Sequence, residues 1–173
     1  RNYVAHAVEL GSVIQDEPVI FLKPSSSIIE QGEKIQLPKG ASEVHHEVEL
    51  GLVIGKEWSK VEPVNLADSV LGFVVALDMT DRGLQNKLKS RKLPWTLAKC
   101  FDTSCPVGPI LPLSVLPPHL FSFDPAHKTL PDPSIELWLC VNGSERQRAF
   151  IDSMIHSPAK LISFISYHMK LEP

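Results

Sequence analysis

Glu47 and Glu49 stand two residues apart in Val44-His-His-Glu-Val-Glu-Leu-Gly-Leu-Val-Ile54, a run that reads as a β-strand. Side chains alternate across a strand, so both carboxylates leave one face together with His45, Gly51 and Val53. His46, Val48, Leu50 and Leu52 line the other face. Adjacent like charges raise each other's pKa unless something cationic sits between them. Two plain explanations are a solvated edge strand and cross-strand Lys or Arg partners. A third is a metal ion, and Asp78 favours it as the lone charge ending the apolar run Val70–Leu77. Three carboxylates on rigid strands, with open positions for water and substrate, suit a hard cation such as Mg²⁺ or Mn²⁺. Zinc fits less well, because His and Cys do not fall at closed-site spacings. His45 and His46 flank the glutamates and read as packing or supporting groups rather than ligands.

His6 and Glu9 lie three apart on a short helix that Asn2 would cap through about Glu9. A carboxylate one turn from an imidazole fixes its tautomer and raises its basicity, as a general base requires. The same spacing also arises by chance on solvated helices. Lys99 sits in the otherwise apolar Trp95-Thr-Leu-Ala-Lys-Cys-Phe101, either snorkelling or held over an anion. Cys100 and Cys105 lie beside it without a base partner and read as buried small hydrophobes, not nucleophiles.

The elements that must position these groups are short. Val19–Leu22, closed by Lys23-Pro24, is expected as a buried strand, and Gly32–Pro38 is β-like. Val70–Leu77 is too apolar for an exposed sheet edge. Thr80 or Asp81 caps a helix through about Lys89, which Pro94 closes off. Leu93–Pro133 is proline-rich and expected to be irregular. Ile135–Val141 alternates up to Asn142-Gly143, a strong hairpin turn signal. Ser157-Pro158 opens a helix over Ala159–Met169, with Leu161, Ile162, Phe164 and Ile165 turned inward. The sum is an α+β chain dominated by sheet.

Composition narrows the class. The chain has 173 residues, 43% hydrophobic and 21% charged, enough apolar material for one domain with a real core. A net charge of −3 excludes a binder that relies on a basic face, whether for nucleic acid or for an anionic membrane. The Val70–Leu77 run is far short of a membrane span. Three cysteines without a C-x-x-C pair exclude a disulfide scaffold and favour a reducing compartment. The 15 prolines favour short strands and ordered loops over long helices.

Six ordered segments carry a resemblance. They are Arg1-Asn-Tyr-x-x-His6-x-x-Glu9, Glu17–Pro24, His45-His-Glu-Val-Glu-Leu-Gly51, Leu77-Asp-Met-Thr80, Leu93-Pro-Trp-Thr-Leu-Ala-Lys99 and Cys105-Pro-Val107. In this order they resemble the fumarylacetoacetate hydrolase family, most of all its branch of small mitochondrial acylpyruvate hydrolases and oxaloacetate decarboxylases. The resemblance implies a mixed β-roll of the family's C-terminal-domain type, a single domain over 1–173, bound Mg²⁺ or Mn²⁺, and a homodimer. It implies a mitochondrial location, with the cytosol as the alternative. Carried over by position, it makes Glu47, Glu49 and Asp78 metal ligands and His6 with Glu9 a catalytic dyad. Lys99 would neutralise the bound oxoacid and take part in catalysis. Arg82 and Gln85 would bind substrate, a role that rests on the resemblance alone.

The implied chemistry is cleavage of C–C bonds in 2-oxo acids through a metal-stabilised enolate. With an acylpyruvate, His6 and Glu9 would activate water. With oxaloacetate, loss of CO₂ leads to the same enolate, and keto–enol tautomerisation needs proton shuttling only. The pattern breaks at both ends. Family members continue past Leu171-Glu-Pro173 into a strand and a Gly-Thr-Pro loop, and a strand normally precedes Arg1, so a truncated domain is expected. Leu113–Pro133 reads as a longer surface loop than relatives carry, and Ala149–Asp152 replaces a polar run. The rival readings are a catalytically inactive family member serving as a dimerising or ligand-holding module, and a metal-free binding domain. The last predicts basic partners for Glu47 and Glu49.

Overall fold

A computed structural model describes residues 2–3, 16–60, 69–116 and 135–173. The strands in chain order are β1 (Ile28–Glu30), β2 (Val44–His45), β3 (Val48–Ile54), β4 (Val70–Leu77), β5 (Thr80–Asp81), β6 (Cys105–Val107), β7 (Glu136–Val141) and β8 (Ser144–Phe150). The helices are α1 (Arg82–Ser90), α2 (Thr96–Lys99) and α3 (Pro158–His168). The class is α+β, rich in sheet with few short helices. The chain forms two compact units, and the division passes through β3 and β4.

One unit comprises Phe21–Gly51 and Val74–Ile110. Its sheet runs in the order β1-β6-β4-β3 and is mixed. β1 lies parallel to β6, with Ile28 opposite Cys105, and β6 runs antiparallel to β4, with Ala76 opposite Val107. β4 is thus an inner strand, although Val75 on it is 42% exposed. Gly51 permits the close approach of β3 to β4, since a Cβ there would fall 2.7 Å from Val74 Cγ2. A second, two-stranded sheet pairs β2 with β5, placing Val44 opposite Asp81 and His45 opposite Thr80. Val74, Met79, Leu88 and Ala98 supply the apolar core, which is shared with a notable set of buried polar groups.

The other unit comprises Arg1–Ile20, Leu52–Phe73 and Leu111–Pro173. The β7–β8 hairpin turns at Asn142 and Gly143, whose φ values of 52° and 78° make the left-handed pair that a tight two-residue turn needs. Ser157 caps α3 by accepting from the Lys160 N–H at 3.3 Å, with Pro158 in the first turn.

Several expectations are corrected. Val19–Leu22 forms no strand and is exposed throughout. Pro18 and Pro24 bracket it, and their missing N–H groups stop a ladder from extending past either end. Gly32–Pro38 joins no ladder either, and the Gln36 N–H is taken by the Thr103 hydroxyl at 2.7 Å. The single strand expected over Val44–Ile54 is two, because the chain leaves one sheet at His45 and enters another at Val48. The stretch expected to be irregular from Leu93 contains α2, β6 and a turn of 3₁₀ helix at Leu113–Val115. On α3 the buried stripe is Ala159, Ile162, Ser163 and Ser166, whereas Leu161, Phe164 and Ile165 are half-buried. Small residues at helical spacing let neighbouring backbone come close, so the larger side chains lie to either side. The expected helix around His6 and Glu9 lies outside the described residues, as does most of the expected loop up to Pro133.

Candidate active site

The candidate residues that the structure describes all belong to the unit containing Phe21–Gly51 and Val74–Ile110. β4 ends at Leu77, and the next residue, Asp78, is pinned by its N–H donating to the Glu47 carbonyl at 2.8 Å. That bond ties together two of the acids singled out by sequence. Asp81 then caps α1, its carboxylate accepting from the Leu84 N–H at 2.9 Å. The cap places Arg82 and Gln85 in the first turn, where their side chains are buried and bonded to each other. The short helix α2 delivers Lys99 at its last position.

Lys99 is 3% exposed, so it is held over anions rather than snorkelling. Its ammonium donates to Glu47 at 2.7 Å, Asp78 at 2.5 Å and the Thr80 hydroxyl at 2.6 Å. The same nitrogen lies 4.8 Å from the centroid of the Phe21 ring. Arg82 pairs with Glu47 from another side. Lys23 reaches Asp78 at 2.9 Å and donates to the Ser104 hydroxyl and carbonyl, both at 3.0 Å, and to the Lys99 carbonyl. The cluster is an alternation of acids and bases closed away from water.

The charges respond to that arrangement. Burial works to raise Glu47, but Lys99 and Arg82 overcome it and bring the carboxyl down to about 2. For Asp78, burial wins over Lys99 and Lys23 and raises the carboxyl from its ordinary value. Glu49 is pushed up to about 7, first by burial and further by the neighbouring Asp78 and Glu47. Its shift shows that it shares a field with the other two acids. Burial also raises the Cys105 thiol, which senses both Lys23 and Asp78.

The structure therefore brings Glu47, Glu49, Asp78, Arg82, Gln85 and Lys99 into one neighbourhood. Among the described residues, no three His, Cys, Asp or Glu side chains are gathered as a ready-made metal cage. An ammonium bridges two of the acids instead. The oxygen donors of Glu47 and Asp78 are of the kind a hard cation takes, though an ammonium holds them here. Lys99 occupies the position between Glu47 and Asp78, and Glu49 is a further buried carboxylate pushed up to about 7. His6 and Glu9 lie outside the described residues. Cys100 and Cys105 are half-buried, not buried, and the Cys100 thiol donates to the Leu22 carbonyl at 3.0 Å. Sequence reasoning gave no site role to Lys23 or Ser104, and read Thr80 only as a candidate helix cap.

A sheet-rich α+β chain with this acid–base cluster at its strand ends belongs to the fumarylacetoacetate hydrolase family, whose C-terminal model matches residues 1–173. The mitochondrial oxaloacetate tautomerase FAHD1 of Arabidopsis thaliana is 44% identical over 172 residues, covering 99% of this chain and 71% of that protein. The mitochondrial oxaloacetate decarboxylase of Dictyostelium discoideum is 41% identical over 173 residues, covering 99% of this chain and 73% of its own length. Among solved structures, the fumarylpyruvate hydrolase of Pseudomonas aeruginosa, in complex with Mn²⁺ and pyruvate, superposes with a TM-score of 0.82 at 33% identity. That match covers 100% of this chain and 71% of the bacterial one. No helix among the described residues is long and apolar enough to cross a membrane.

Proposed function

We propose that the chain is a divalent-metal-dependent enzyme acting on small 2-oxo acids, with oxaloacetate as the leading substrate and keto–enol tautomerisation or decarboxylation as the reaction. Hydrolysis of acylpyruvates at the same site is the companion activity. The observation that carries the reading is the buried meeting of Glu47 and Asp78 with Lys99 and Arg82. Its support from relatives is that those named for oxaloacetate match almost the whole chain.

Glu47, Glu49 and Asp78 would hold the ion. Bound there, a divalent cation supplies Lewis-acid polarisation of the keto group. Arg82 and Gln85 receive the substrate carboxylate, because each terminal guanidinium nitrogen carries a second N–H beyond those given to Glu47 and Gln85. Lys99 offers ammonium protons to the oxygen on which negative charge develops. His6, with Glu9 setting its basicity, moves the proton at C3 in tautomerisation and activates water in hydrolysis. Decarboxylation needs no water, since the electrons of the broken C–C bond collect on the same oxygen. Mg²⁺ as the physiological ion, a homodimer and a mitochondrial location belong to the same proposal. Relatives named mitochondrial support the last.

Glu47, with two cationic partners, favours the rival reading of a metal-free binding module. Glu49 favours the enzyme. The deciding experiment is thermal melting of the chain with and without Mg²⁺ or Mn²⁺, followed by ultraviolet assays of oxaloacetate tautomerisation, oxaloacetate decarboxylation and acetylpyruvate hydrolysis. The expected result is metal-dependent stabilisation with turnover in at least one assay. Absence of both would establish the inert module instead.

A further inference from the structure

The guanidinium of Arg82 is held on three sides. One terminal nitrogen donates to Gln85, the other to Glu47, and Nε–H points to His45 Nδ1 at 3.4 Å. The other ring nitrogen of His45 lies 2.9 Å from the Glu43 carboxylate. An arginine Nε always carries its proton, so Nδ1 must be the bare, accepting nitrogen. The ring proton then sits on Nε2 and donates to Glu43, which fixes the tautomer. Backbone geometry reinforces the arrangement. Strand β2 pairs His45 with Thr80, and the Arg82 N–H donates to the Glu43 carbonyl at 2.9 Å. This two-residue strand and Glu43 just before it therefore place both the imidazole and its carboxylate beside the first turn of α1.

We propose that His45, oriented by Glu43, is a positioning residue for Arg82 and sets how well that arginine grips the carboxylate of a 2-oxo acid. The inference rests on the substrate role proposed above for Arg82. His45 contributes no atom to the substrate or the metal. It occupies Nε–H, which leaves the outer N–H groups of the terminal nitrogens as the edge offered to a ligand. Without it only Gln85 and Glu47 hold the guanidinium, which can then tilt about those two bonds, and a small misplacement of a binding group weakens every hydrogen bond it makes. Glu43 is 52% exposed on its side chain and His45 is 45% exposed, so the expected effect is moderate.

The test has two arms. In the chain without added metal, ¹⁵N spectra should show His45 as the Nε2–H tautomer. The Arg82 Nε–H should exchange slowly with water in the wild type and quickly in His45→Ala. With Mn²⁺ present, His45→Ala should raise KM for oxaloacetate, and the dissociation constant of pyruvate, by about 5–20-fold with kcat changed less than about 3-fold. His45→Asn, whose amide oxygen can stand where Nδ1 stood, should recover most of that loss. Mn²⁺ affinity should be the same in all three proteins. An Nδ1–H tautomer, or unchanged Arg82 exchange and unchanged KM in His45→Ala, overturns the inference. Arg82→Lys separates the two readings. If it leaves KM and pyruvate binding untouched, the substrate role of Arg82 is wrong, and the spectra alone decide whether His45 positions it.

Discussion

Two regions of the molecule use the same kinds of ion pair in opposite surroundings. In the β7–β8 hairpin, Arg148 pairs with Glu136 and with Glu145, and all three side chains are substantially exposed. Around β4, Lys99 and Lys23 pair with Glu47 and Asp78 where side-chain exposure runs from 4% to 14%. Exposed pairs gain little, because water screens the attraction and long side chains lose freedom to make it. Buried pairs are costly to assemble and more costly to break, since removing one partner strands a charge away from water. The hairpin charges keep a surface soluble. The buried ones are tolerable only while every member is matched, which is why a cluster so expensive to maintain points to chemistry.

Breaking the buried side should have the largest effect. Lys99→Met removes the ammonium that Glu47 and Asp78 share, leaving Glu47 with Arg82 alone and Asp78 with Lys23 alone, and the metal-free chain should lose about 3 kcal/mol in urea unfolding. Turnover should fall by at least about 100-fold. Mn²⁺ should restore more stability to this variant than to the wild type, because the competing ammonium is gone. A wild-type unfolding midpoint in Lys99→Met would show that the pairing is as weak as that of the hairpin.

Glu49 sharpens the comparison through pH. Its folded pKa of about 7 lies above the ordinary 4.5, so folding favours the protonated form. Stability from this group is full at low pH, declines as pH rises above about 4.5, and the whole cost is present above about 7. Glu49→Gln should therefore stabilise the metal-free chain at pH 8 by about 2 kcal/mol and make little difference at pH 4. Denaturation curves of both proteins across that range read the crossover directly, and a pH-independent difference would contradict it.

The hairpin provides the small effects. Gly143→Val puts a β-branched residue at φ 78° and should cost about 1–2 kcal/mol by thermal unfolding, through backbone strain alone. Arg148→Ala, which removes both exposed pairs, should leave the melting temperature within about 2 °C of wild type. A larger drop would mean that the surface pairs are not screened as their exposure implies.

What the sequence disclosed follows the same division. Local signals were legible where one residue type forces the backbone: Asn142-Gly143 at the hairpin, Asp81 and Ser157 at helix starts, and the uncharged run that becomes β4. The acids of the site were legible from alternation and from the isolation of Asp78. Arg82 and Gln85 were not legible from spacing, because a polar pair one turn apart looks like any solvated face until the fold buries it. Lys23 was missed for a related reason. Its partners include the carbonyls of Met79, Lys99 and Ser104, which long-range folding brings to it and no local pattern announces. The segment Val19–Leu22 shows the converse, since apolar content without a neighbouring ladder does not make a strand.

A calorimetric titration of Mn²⁺ into the wild-type chain and into Asp78→Ala puts the acidic trio to its most direct trial. Saturable binding in the wild type that vanishes in the variant is the result expected if Glu47, Glu49 and Asp78 grip one ion. Undiminished Mn²⁺ occupancy in Asp78→Ala, or no binding by the wild type, would contradict it.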